Sequence, residues 1–158
     1  MRKIIAALFL GVLLCFVGAC TTIDCSINNV VLARYKLNRP IGDTLSISVS
    51  QAGGNDTTLL NRVINVDSFA IPMSYNREQD VYYLKMSSTT STIFDTITVN
   101  KTNTPHFESV DCSPAFFHEI LHVSTTHNKI DSVSINNPNV TYDNAKANFI
   151  IYLKSNIF

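Results

Sequence analysis

Residues 92–100 read TIFDTITVN, and their alternation sets Ile93, Asp95, Ile97 and Val99 on one side of the chain and Thr92, Phe94, Thr96 and Thr98 on the other. Successive side chains of an extended backbone leave on opposite faces, so period two here predicts a β-strand with one face against a core. The pattern recurs at Thr44–Ser50, TLSISVS, where Leu45, Ile47 and Val49 alternate with hydroxyl side chains. Working outward, further runs rich in β-branched and aromatic residues read as strands near 29–37, 58–66, 69–75, 80–86, 129–136 and 148–154. Gly, Pro, Asn and Asp punctuate them at RPIGD (39–43), AGGND (52–56), YNREQD (75–80) and INNPN (135–139), where the chain is expected to reverse. Tyr82 and Tyr83 are neighbours on one strand, which sends one ring to the core and the other outward. Pro72 lies inside its run and has no N–H for a ladder, which marks an edge strand or a bulge.

About eight short strands at this spacing predict a mainly β chain, folded as a single antiparallel β-sandwich of immunoglobulin-like type over residues 29–158. One segment breaks the pattern. SPAFFHEILHV (113–123) offers Ser113 as an N-cap and Pro114 at the first helical position. A turn of 100° per residue gathers Phe116, Phe117, Ile120, Leu121 and Val123 on one face, so a short helix over 114–123 is expected, with His118 and His122 together on the opposite side. That segment contains His118-Glu119-Ile120-Leu121-His122, the spacing at which a helix gives zinc two imidazoles and a general-base carboxylate, the chemistry of a zinc-dependent hydrolase. The flanking sequence does not complete such a site. Thr125 and Asn128 stand where the extended pattern places Gly and His, His127 is one residue out of place, and no Glu follows Glu119. Asp131 and Asp143 fall in strand and turn sequence. His118 and His122 are therefore candidate metal ligands without a third partner; no catalytic residue and no cofactor is assigned.

The N-terminus carries an address. MRKIIAALFLGVLLCFVGAC (1–20) has a basic start, an apolar run from Ile4 to Val17 and small residues before Cys20, the form of a secretory signal peptide over 1–19. Val17-Gly18-Ala19-Cys20 resembles the lipobox of bacterial lipoproteins, and that resemblance implies cleavage before Cys20 and acylation of Cys20 at its sulfur and amino group. Several acyl chains hold a chain on a membrane far more firmly than one, since each buried methylene contributes about 0.8 kcal/mol. Residues 20–28 would then form a membrane-proximal tether. Thr21 follows the cysteine where retention in the inner membrane calls for Asp, which implies the outer membrane; TTIDCS (21–26) lacks a dense acidic export tract, which favours its periplasmic face.

Loss of Arg2 and Lys3 with the signal leaves ten basic against twelve acidic side chains, scattered without a basic stripe, so nucleic acid is not an expected partner. With Cys15 removed and Cys20 lipidated, Cys25 and Cys112 are the remaining pair, and an oxidising compartment favours their disulfide. Closing so long a loop stabilises by up to about 4 to 5 kcal/mol in the chain-entropy picture. No Gly-x-Ser-x-Gly elbow, phosphate-cradling loop or cofactor fingerprint appears.

The segments Asn103-Thr104-Pro105-His106-Phe107, Asp111-Cys112, Ile130-Asp131-Ser132 and Asn137-Pro138 resemble a family of uncharacterised lipoproteins of gut Bacteroidetes, a domain of unknown function. The resemblance implies location and fold and supplies no activity. In such bacteria an Asp, Ser/Thr, apolar-or-Thr pattern directs O-glycosylation; it occurs at Asp43-Thr44-Leu45, Asp56-Thr57-Thr58, Asp95-Thr96-Ile97 and Asp131-Ser132-Val133, and Thr57, expected in a loop, is the leading candidate. The combined expectation is a lipid-anchored envelope protein acting as a non-enzymatic binding or structural module, with the membrane and an envelope protein or glycan as partners.

Overall fold

The computed structural model describes residues 30–50, 54, 56–143 and 145–155; the signal and tether expectations, with Cys20 and Cys25, lie outside them. Ten strands follow in chain order: β1 (Leu32–Ile41), β2 (Thr44–Ser50), β3 (Asp56–Val63), β4 (Val66–Pro72), β5 (Gln79–Ser87), β6 (Thr92–His106), β7 (Ala115–Thr125), β8 (Ile130–Ile135), β9 (Asn139–Val140) and β10 (Phe149–Leu153). They form two packed sheets, one of four strands in the order β4-β1-β10-β8 and one of six in the order β3-β2-β5-β6-β7-β9. TIFDTITVN opens the longest strand, and its inner positions Asp95, Ile97 and Val99 are buried as the alternation requires. Tyr82 is buried and Tyr83 is partly exposed.

Two expectations need correction. The sheets are not purely antiparallel, because β1 and β10, from opposite ends of the chain, pair in parallel through Tyr35–Phe149 and Leu37–Ile151. No helix occurs among the described residues, and 115–125 is the strand β7, paired along its length with β6 and briefly with β9. The cause of the misreading is a β-bulge. Asn100 pairs with His122 and Lys101 with Ile120, so Leu121 is an extra residue on β7. A bulge shifts the alternation by one, so the inward residues Ile120 and Val123 stand three apart, the spacing of neighbours on a helical stripe, and His118 shares their face. Ladder bonding to the long β6 then overrides the local cap signal at Ser113-Pro114.

Pro72 ends β4, an edge strand of the small sheet, where its missing N–H costs no ladder bond. Pro105 is accommodated similarly: β5 pairs with β6 only over 92–100 and the Lys101 N–H still reaches the Glu78 carbonyl, so ladder pairing of residues 102–106 is with β7 alone. Across the small sheet Phe69, Tyr35 and Phe149 lie in register and stack at 4.8 and 4.5 Å, with Tyr82 meeting Tyr35 edge-on from the large sheet. Such aromatic pairs contribute about 0.5 to 1.5 kcal/mol each beyond their burial and tie the two layers together.

Candidate functional site

The His-Glu-Ile-Leu-His segment is divided by the bulge at Leu121. His118 points inward and is 5% exposed, whereas His122 is exposed on the other face of β7 with Glu119. The common face that carried the zinc expectation is absent, and no group of three or more metal-ligating side chains occurs among the described residues. His127, with φ of 60°, stands on the β7–β8 crossover and its Nδ1–H donates to the Asp131 carbonyl at 2.6 Å. Asp131 is exposed on β8, and Asp143 accepts the Ala145 N–H.

His118 belongs instead to an ionic network at one end of the core. Asn103 Oδ1, itself an acceptor only, takes hydrogen bonds from His118 Nδ1 and Lys101 Nζ, each at 2.7 Å, which assigns the proton to Nδ1 of His118. Lys101 Nζ also donates to the carbonyls of Ser74 and Arg77 and lies 3.6 Å from Asp80 Oδ2. Asp80 accepts the N–H and hydroxyl of Ser74 and pairs with Arg77, whose guanidinium reaches the Ser50 carbonyl. Asp80 and Lys101 are buried completely, so each charge depends on the other and on these bonds. Burial pulls the Lys101 ammonium below its usual range against the opposing pull of Asp80. Burial and then the Lys101 charge lower His118 to about 4, which keeps it neutral at physiological pH. The network clamps the β4–β5 crossover onto β6 and β7.

Two further buried polar residues serve crossovers. The Asp95 carboxylate accepts the N–H groups of Asn128, Lys129 and Ile130 at 2.7, 2.7 and 2.9 Å and the Thr126 hydroxyl at 2.8 Å. Asn148 exchanges bonds with the Arg34 backbone and donates through Nδ2 to the Asn137 and Asn139 carbonyls, fixing the β8–β9 crossover. Sequence reading placed Asp95 on the inner face but found no role for it, and it missed Lys101 and Asn103. Continuing the alternation from Ile97 and Val99 places both inside.

At the opposite end of the large sheet from the Lys101 network, the β7–β8 crossover borders an open hollow of about 370 Å³. Arg39, Lys129 and Lys154 line it with Asp43 and the Ser88–Ser91 turn. Lys129 pairs with Asp43, Arg39 donates to the Lys154 carbonyl, and Lys154 Nζ donates to the His127 carbonyl.

A model of a family of unknown function, DUF6452, matches residues 44–153. The chain belongs to this family. The match runs from β2 to the end of β10 and so includes the Asp80, Lys101, Asp95 and Asn148 positions. No curated protein and no solved structure matches the chain.

Of the remaining expected site residues, Cys112 sits in the turn before β7, while its expected partner Cys25 lies outside the described residues. Thr57 is not in a loop: it is an exposed residue of β3, an edge strand of the large sheet.

Proposed function

We propose that this DUF6452 protein is a lipid-anchored module of the bacterial cell envelope that binds or supports a partner and performs no catalysis. The observation that carries the reading is the use of its buried polar side chains. Asp80, Asp95, Lys101 and Asn148 bond to crossover backbone, and His118 bonds to Asn103, as structural groups do. The signal and the Val17-Gly18-Ala19-Cys20 sequence support anchorage through Cys20 at the outer membrane, on its periplasmic face, as in the Bacteroidetes lipoproteins it resembles. An immunoglobulin-like sandwich tied by a Cys25–Cys112 disulfide, with O-glycosylation at Thr57, fits the same compartment; exposure of Asp56 and Thr57 on β3 supports that site. The division of His118 from His122 argues against the zinc hydrolase alternative.

Metabolic labelling with an alkyne palmitate tests the anchor: wild-type protein takes the label and sediments with membranes, and Cys20→Ser does neither. Unlabelled wild-type protein in the soluble fraction would refute it. Metal analysis tests the absence of catalysis, and stoichiometric zinc lost on substituting His122 would overturn it.

A further inference from the structure

The hollow at the β7–β8 end joins a second one. Ile93 and Lys154 line both, so the two form one groove, and the second part is floored by Phe94, 59% exposed, beside His127. Lys85 Nζ stands 5.9 Å from the centroid of the Phe94 ring, which places a further cation at that end. In the first part Lys129 and Asp43 offset one another, and the hydroxyls of Ser88, Thr90 and Ser91 are engaged chiefly within their own turn. Arg39 and Lys154 each spend one donor on a backbone carbonyl. A guanidinium has five N–H donors and an ammonium three, so both keep donors for an anion.

We infer that this groove binds an acidic oligosaccharide, with a sugar carboxylate at Arg39 and Lys154 and the next ring lying on Phe94. The excess of cations disfavours a cationic ligand, and spare cationic donors beside one exposed ring suit an anion that also presents a ring face, as an acidic sugar does. All the groups named come from strand ends and turns held by the sandwich, the usual position of recognition residues on such a frame. The inference rests on the binding-module reading and names its ligand class.

Calorimetric titration of the full-length protein extracted from membranes in detergent tests it, with trigalacturonate, maltotriose and inorganic phosphate as probes. Trigalacturonate is expected to bind at least about tenfold more tightly than maltotriose and phosphate, a difference of about 1.4 kcal/mol. Arg39→Ala with Lys154→Ala is expected to weaken it about tenfold or more, Phe94→Ala several-fold, and added salt to weaken the wild-type interaction. Equal binding of maltotriose, unchanged affinity in the variants, or phosphate as tight as trigalacturonate would each overturn the inference. Failure here leaves membrane labelling through Cys20 unaffected, so the two readings fail separately.

Discussion

Replacing Asp95 by Ala removes one carboxylate from four donors, three of them consecutive backbone N–H groups of the β7–β8 crossover. Asp95 is 2% exposed and Ile130 is 1% exposed, so water cannot fully replace the lost acceptor, above all at the Ile130 N–H. A hydrogen bond to a charged group contributes about 1.5 to 3 kcal/mol, and a buried donor left without a partner costs about 1 to 3. The outer donors regain water, which brings the expected loss to about 3 to 5 kcal/mol rather than the sum over all four bonds. In urea, with a slope of about 1 to 3 kcal/mol/M, the unfolding midpoint followed by far-ultraviolet circular dichroism should fall by roughly 2 M with the slope unchanged. Asp95→Asn retains one acceptor oxygen but turns an amide donor towards other donors, so it should fall between wild type and Asp95→Ala. Asp131→Ala, exposed on β8 just past the same crossover, is the control and should stay within about 0.5 kcal/mol. Amide exchange in the two Asp95 variants should accelerate first at residues 128–130. A loss below about 1 kcal/mol in Asp95→Ala would refute the view that this carboxylate holds the crossover.

Stability should also decline as pH falls from about 6.5 to about 4: His118 stays neutral in the fold down to about 4, whereas the unfolded chain takes up its proton from about 6.5. The size is on the order of 2 kcal/mol after allowance for solvent near the ring, and urea midpoints at several pH values should show it in wild type and lose it in His118→Gln. Lys101→Met leaves Asp80 without its ammonium and should cost about 3 to 5 kcal/mol by the same assay, with Asp80→Asn in the same chain recovering part of the loss. Arg62, at φ of 51° where β3 and β2 shift register, should gain roughly 0.5 kcal/mol on replacement by Gly, measured as a raised thermal midpoint.

Alternation made most of the strands legible, because each has one face on the core and one in solvent. TLSISVS coincides with β2, and TIFDTITVN is the first nine of the fifteen residues of β6. β7 was not legible for a local reason: one extra residue at Leu121 converted period two into a spacing close to a helical one, and an N-cap sequence agreed with the error. The error then placed His118 and His122 on one face and gave the zinc pattern a geometry that the strand denies. The β1–β10 parallel pairing was hidden for a different reason, since a run of residues encodes which face is buried but not which distant strand lies beside it. The buried ionic network lay between these cases. Asp80, Lys101 and Asn103 occupy inward positions that alternation identifies, but their partners belong to a connection whose path depends on tertiary structure: Ser74 donates to Asp80, and the Ser74 and Arg77 carbonyls accept from Lys101 and Asn103.

Two packed sheets share no ladder bonds, so wherever the chain crosses between them its backbone N–H and C=O groups lose strand partners near the core. Asp80 with Lys101, Asp95 and Asn148 supply those partners at three separate crossings, which explains why charged side chains are tolerated at depth in this fold. One of these crossings has a second consequence. The β7–β8 turn that Asp95 holds through the Asn128, Lys129 and Ile130 amides also carries the Lys129 ammonium against Asp43 and presents the His127 carbonyl to Lys154. The Asp95 carboxylate therefore fixes the wall of the cationic groove as well as the path of the chain. Asp95, which interrupts an apolar face in TIFDTITVN, is thus the residue on which both the stability of the two packed sheets and the shape of the groove depend.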